Sequence, residues 1–153
     1  MPTQVRPLQT SDATACDAII ASLPDWFGMP EGIRECADAV RMQPGLVCER
    51  DGLVVGFLTV DRPSGSTAEI SWLAVHAAER GRGLGTALVE RLVADLATAG
   101  VRLLVVKTLS DREDPGPEYA ATRAFYLARG FAPAAELDLF GPDNPIQLMS
   151  RTI

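Results

Sequence analysis

The sequence predicts a single α/β domain, residues 1–153, on a mixed, twisted sheet of about six to seven strands flanked by helices. Three observations predict it. Helical and strand periodicities alternate along the chain, with no internal repeat and no polar stretch longer than the loop "SDREDPGPE". The run "VRLLVVKTL" is apolar on both faces, as a strand covered on both sides must be. That run follows a strand, a turn and a helix, an arrangement whose crossover lays it parallel to the earlier strand. With 47% hydrophobic and 22% charged residues, a 153-residue chain buries on the order of 70% of its unfolded surface, which gives one core without staples and no room for a second.

Each element has its own signal. A short strand is expected around Val5, then a helix capped by Ser11 or Asp12 and running to Leu23, where Pro24 ends it. In "MPEGIRECADAV", Pro30 suits a first helical turn, and Ile33, Cys36, Ala37 and Val40 form the apolar stripe of a second helix. The pattern then changes: "LVCERDGLVVGFLTV" is two β-branched runs around Asp51 and Gly52, a hairpin signal, and a third strand from Glu69 to about His76 completes a meander. Leu84, Leu88, Leu92 and Leu96, with Val89 and Val93, make the wide stripe of a long helix that stops at Gly100. After "VRLLVVKTL", a helix near 120–129 stops at Gly130, and "AAELDLF" and "IQLMSRTI" read as a terminal strand pair split by "GPDNP".

Composition excludes several function classes. The net charge of -6, without any basic block, gives no footprint for nucleic acid; no run approaches the roughly 18 apolar residues of a membrane span. The opening "MPTQVRPLQTSD" lacks a signal-peptide core, so a cytoplasmic location is expected; the arginine and alanine bias suggests a bacterial source. Cys16, Cys36 and Cys48 have no CxxC spacing and no nearby histidine, so they read as small buried hydrophobes in a reducing compartment, and no metal is expected.

The chemistry-bearing stretch is "EISWLAVHAAERGRGLGTALVERL". It lacks the lysine of a GxxxxGK[ST] loop, and Thr86 stands where GxGxxG needs glycine, so neither a nucleoside triphosphate nor a dinucleotide is indicated. What remains is Arg80-x-x-Gly83-x-Gly85 between a strand and the first turn of a helix, where backbone N–H groups and the helix dipole favour an anion. A glycine turn needed only for its conformation is the bland alternative.

These residues resemble the signature (Gln/Arg)-x-x-Gly-x-(Gly/Ala) of the GNAT superfamily of acetyl-CoA-dependent N-acetyltransferases, and "TRAFYLARGF", with Phe125, Tyr126, Gly130 and Phe131, resembles its second motif. The predicted element order is that of the GNAT acyl-CoA N-acyltransferase fold, so the resemblance spans nearly the whole chain. It implies acetyl-CoA as the acyl donor, with its pyrophosphate on the turn Arg80, Gly81, Arg82, Gly83, Leu84, Gly85 and Thr86. It also implies that the third meander strand bulges and splays from the parallel strand after it, so that pantetheine pairs with the backbone of Leu73 and Val75, flanking Ala74. Where many relatives carry an asparagine seven residues before the tyrosine, this chain has Tyr119.

Transfer of an acetyl group to an amine needs a neutral amine, an oxyanion stabiliser and a proton for the departing thiolate. The resemblance makes Tyr126 the general acid, and Phe125 and Ala128 are expected to face the core so that Tyr126 lies at the edge of that face. Glu69, at the start of the third strand, is the candidate base; a solvated strand end is its bland reading, and Asp111, Asp114 and Glu118 are rivals. His76, the only histidine, reads as a partly buried structural residue, because the phosphate turn lies on the wrong side of the thioester for a base. Trp26 and Phe27 are candidates for the acceptor pocket, with core packing as the alternative, and "FGPDNP" is a candidate further wall. The expected acceptor is a primary amine of a small molecule or peptide, and a homodimer is compatible with the sequence. A non-catalytic acyl-CoA sensor of the same fold is the competing class.

Overall fold

In the computed structural model, which describes residues 3–109, 117–139 and 145–153, the expected alternation becomes a mixed seven-stranded sheet flanked by helices. The elements are β1 (Thr3–Pro7), α1 (Ala13–Ala21), α2 (Pro30–Met42), β2 (Gly45–Arg50), β3 (Leu53–Asp61), β4 (Thr67–Val75), α3 (Leu84–Thr98), β5 (Leu103–Leu109), α4 (Pro117–Ala128), β6 (Ala132–Leu137) and β7 (Ile146–Thr152). Short 3-10 turns at Thr10–Asp12 and Ala77–Glu79 are the only other helical pieces among the described residues. The sheet order is β1-β2-β3-β4-β5-β7-β6. Among the described residues no helix is long and apolar enough to cross a membrane.

Contacts gather the chain into two compact units, Met1–Asp61 with Ile70–Asp95, and Arg62–Glu69 with Leu96–Ile153. In the first, β1 and β2 run antiparallel with Val5 opposite Cys48, and the β2–β3 hairpin turns at Asp51 and Gly52, both at positive φ as a tight hairpin requires. Its core is Cys16, Ile19 and Ile20 of α1 and Cys36 and Val40 of α2, laid on Val47 and Phe57 of the sheet. All three cysteines are buried as expected, and burial pushes the Cys16 and Cys36 thiols up to about 12. Gly45 has an unpredicted reason to be glycine: a Cβ there would collide with the backbone carbonyl oxygen of Leu58, so β2 can lie this close to β3 only without a side chain at that point.

Three expectations need correction here. The first helix ends at Ala21 instead of Leu23, closed by Ser22, whose Oγ donates to Ile19 O at 2.6 Å. Asp12 precedes that helix without capping it, because Arg6 takes its carboxylate in a two-pronged bond of 2.8 and 2.9 Å and the Gln9 N–H donates to it at 2.8 Å. The Arg6 guanidinium holds that buried carboxyl below the usual carboxylate range. Ile33 is 41% exposed and leaves the buried stripe of α2 to Cys36, Ala39 and Val40.

The second unit is built on β7, which pairs antiparallel with β5 on one side, Val106 opposite Met149, and with β6 on the other, Leu137 opposite Ile146. Leu104, Val106, Ile146 and Met149 are buried in it. α3 and α4 end alike. Val101 N–H reaches back to Leu96 O and Phe131 N–H to Tyr126 O, each at 3.0 Å, around Gly100 and Gly130 at positive φ. The last helix begins at Pro117, a turn before the expected start, and the third meander strand spans Thr67–Val75, leaving His76 just past its end.

Candidate functional site

The turn that precedes α3 has three layers of construction. First, β4 ends at Val75, where the His76 N–H donates to Val55 O at 2.8 Å and fixes where the chain leaves the sheet. His76 then caps the short Ala77–Glu79 turn: its Nδ1 accepts the Ala78 N–H at 3.1 Å, which places the proton of the neutral ring on Nε2. The half-buried structural role expected of this histidine is the one it has. Second, Gly81 and Gly83 take φ values of 79° and 78°, and a Cβ at either would meet nothing within 4 Å. The backbone is therefore left-handed and open, a combination that glycine supplies at no steric cost. Third, Leu84 begins α3, whose first-turn N–H groups have no carbonyl to bond within the helix, and the helix dipole adds partial positive charge there.

Two arginines stand in this turn and are held differently. Arg82 Nε lies 3.4 Å from Glu79 Oε2, an oxygen that also pairs with Arg50 at 2.5 Å. The Arg80 guanidinium forms no ion pair or hydrogen bond among the described residues; its carbon lies 4.3 Å from the centroid of the Trp26 ring. Both arginines are exposed, as are Gly81 and Gly83. Open backbone, a helix N-terminus and a cation whose N–H groups are uncommitted together suit a phosphate-like oxyanion.

Trp26 and Phe27 follow α1 in a turn where Leu23 O accepts both their N–H groups, at 3.2 and 3.0 Å. Both are half-buried. Phe27 packs at 5.7 Å from Trp72 of β4, and the neighbouring Ser22 Oγ accepts the Ala77 N–H at 3.1 Å. Sequence reasoning missed this linkage, since nothing local to residue 26 points to residue 80. Leu73 and Val75 are half-buried and Ala74 is buried. Across the neighbouring strands β3 and β4 the Thr59 and Ser71 hydroxyls lie 2.7 Å apart, and Ser71 donates to Gln43, a polar relay that the sequence does not announce.

The remaining candidates lie in the second unit. Glu69 is paired with Lys107, Oε2 to Nζ 3.3 Å, with only 15% of its side chain exposed, so it is no freely solvated strand end. Tyr126 is 5% exposed and is the buried residue of α4, whereas Phe125 is half-buried and Ala128 exposed, the reverse of the expected order. The helix ending explains the reversal. Gly130 turns the chain so that Phe131 folds back onto Tyr126, ring centroids 5.3 Å apart, and Phe125 meets the same ring edge-on at 5.2 Å. The Tyr126 hydroxyl makes no hydrogen bond among the described residues, and burial pushes its ionisation above the ordinary phenol range. Tyr119 is half-buried and Glu118 lies in the first turn of α4; Asp111, Asp114 and residues 140–144 lie outside the described residues. No group of metal-binding side chains occurs among the described residues.

Residues 43–133, more than half of the chain, match the family model of the acetyltransferase (GNAT) domain. Similar solved structures include a GNAT-family protein from Desulfovibrio desulfuricans, 23% identical over 99% of either chain with a TM-score of 0.85. The ribosomal-protein-S18-alanine N-acetyltransferase of Escherichia coli is 21% identical, covers 99% of this chain and 94% of its own, and has a TM-score of 0.79. A GNAT family acetyltransferase from Elizabethkingia anophelis with acetyl-CoA bound is 13% identical, covers 99% of this chain and 98% of its own, and has a TM-score of 0.75. No curated protein matches the sequence.

Proposed function

The chain belongs to the GNAT family of acetyltransferases, and we propose that, as one domain, it transfers the acetyl group of acetyl-CoA to a primary amine of a small molecule or peptide. The observation that carries the proposal is the turn before α3, where open left-handed backbone at Gly81 and Gly83, the helix N-terminus and the uncommitted Arg80 guanidinium converge. These features fit the pyrophosphate of coenzyme A, a dianionic group read best by N–H donors from several directions. Arg80, Gly81, Arg82, Gly83, Leu84, Gly85 and Thr86 are the proposed pyrophosphate site. Leu73, Ala74 and Val75 are the proposed backbone contacts of the pantetheine arm.

In the reaction, the amine nitrogen forms a bond to the thioester carbonyl carbon and the carbon–sulfur bond breaks. The amine loses a proton and the thiolate gains one. An alkylammonium has a pKa near 10.4, so a base must take its proton first; Glu69, screened from water and paired with Lys107, is proposed for that role. Tyr126 is proposed as the donor to sulfur. A phenol is protonated at neutral pH even at its ordinary pKa near 10, and burial raises that value further, so Tyr126 holds the form a general acid needs. Trp26 and Phe27 are proposed to line the acceptor side. Incubation with acetyl-CoA and a panel of polyamines, aminoglycosides, amino acids and peptides, with release of free thiol as the readout, tests the reading. Turnover with at least one primary amine is expected. Acetyl-CoA binding with no turnover of any amine would favour a sensor, and turnover restricted to hydroxyl acceptors would overturn the amine assignment.

A further inference from the structure

We propose that Trp26 is a positioning residue for Arg80, and that through it the segment after α1 sets the affinity for the acyl donor. The inference rests on the reading of the Arg80 turn as the pyrophosphate site. Arg80 and Arg82 are two residues apart, yet only Arg82 shares a carboxylate, the one on Glu79. An acidic partner occupies the N–H groups that a phosphate needs, and the two must compete. An aromatic face does not compete: it attracts the guanidinium through its quadrupole while accepting none of its in-plane N–H groups, so all five donors stay available. The 4.3 Å separation of the Arg80 guanidinium carbon from the Trp26 ring is this arrangement.

Trp26 can hold a long, exposed side chain in place only if it is itself held. Its N–H and that of Phe27 converge on Leu23 O; Ser22 Oγ takes the Ala77 N–H; and Phe27 packs on Trp72. The segment from Ser22 to Phe27 is thus tied at three points to the stretch from Trp72 to Arg80, through Phe27 to Trp72, Ser22 to Ala77 and Trp26 to Arg80. A side chain with several rotatable bonds that is already placed loses less freedom when the ligand arrives, so the stack raises affinity without touching the ligand.

Calorimetric titration with acetyl-CoA in the absence of acceptor, on wild type, Trp26→Ala, Trp26→Phe, Arg80→Gln and the Trp26→Ala/Arg80→Gln pair, tests this. Trp26→Ala is expected to weaken binding about two- to fivefold, the range of an exposed cation–π contact, and Trp26→Phe, which keeps an aromatic face, to recover most of it. In the Arg80→Gln background the Trp26→Ala effect should vanish, and S-acetylpantetheine, which lacks the pyrophosphate, should bind Trp26→Ala and wild type alike. If Trp26→Ala fails to fold, Trp26→Phe against Trp26→Leu makes the same comparison. An equal loss in both Arg80 backgrounds, or an equal loss with S-acetylpantetheine, overturns the positioning role while leaving the pyrophosphate site standing. Unchanged acetyl-CoA affinity in Arg80→Gln overturns the pyrophosphate site, and the positioning role with it.

Discussion

Gly83 at the start of α3 (φ 78°) and Gly130 at the end of α4 (89°) both stand at a helix end at positive φ, and the two ends are finished in opposite ways. Around Gly130 the chain satisfies itself. Phe131 N–H and Gly130 N–H bond back to Tyr126 O and Leu127 O, Arg151 Nη1 donates to Arg129 O at 2.7 Å, and a Cβ on Gly130 would touch the Arg151 side chain at 3.6 Å. Around Gly83 the space is open, and the nearby Arg80 cation has no hydrogen-bond acceptor among the described residues. The same backbone conformation closes a structure in one place and leaves one ready for a partner in the other. The difference lies in what surrounds the glycine.

The largest test of this contrast concerns the side chain that the closed end buries. Tyr126→Phe keeps the ring, its contacts with Phe125 and Phe131 and the helix ending, and removes one hydroxyl. General acids contribute about 10²- to 10⁴-fold, so steady-state kinetics should show kcat lowered at least about tenfold, with acetyl-CoA affinity within about twofold of wild type. Wild-type kcat at every pH would mean that water protonates the thiolate and that the closed end is packing alone.

Next in size is a paired substitution at the two glycines. Valine at either position meets the same left-handed strain, which costs roughly 1–2 kcal/mol of stability, measurable by chemical denaturation. Only Gly83→Val should also weaken acetyl-CoA binding, by at least about tenfold, as charge-assisted hydrogen bonds to the backbone are blocked. Equal acetyl-CoA affinity in Gly83→Val and Gly130→Val would erase the distinction.

The smallest expected effect is in alkaline stability. The buried Tyr126 phenol ionises above its unfolded value near 10, so the unfolded chain sheds its proton first. A group raised in this way contributes stability that is complete below pH 10 and is lost as pH rises toward the folded value. Wild type should therefore lose about 1 kcal/mol by pH 11 that Tyr126→Phe does not lose, read as a difference in denaturation midpoints. At the open turn the expected signature is salt: added salt should weaken its ligand.

How legible these regions were differs for a physical reason. Signals that act over a few residues were readable: the Asp51–Gly52 hairpin, Pro30 in the first turn of α2, Gly100 and Gly130 past their helices, and the glycine turn itself all came from neighbours in sequence. Partnerships across long separations were not. Asp12 reads as a cap but is taken by Arg6; nothing near Glu69, the candidate base, points to Lys107, and nothing near Trp26, a candidate for the acceptor pocket, points to Arg80. The misplacement of Tyr126 has the same origin: helical periodicity alone puts it at the edge of the core-facing side, and the return of Phe131 over the helix end covers its ring.

The position of β7 bears on how the protein is made. β7 lies between β5 and β6, and among the described residues β6 has no other neighbour in the sheet. During synthesis β5 and β6 are both made before the strand that joins them, so until then the edge that each turns toward β7 lacks the N–H and C=O partners that β7 supplies. Pairing in this part of the sheet therefore waits on residues 146–152, and an unpaired strand edge is a surface on which other chains can pair in the meantime.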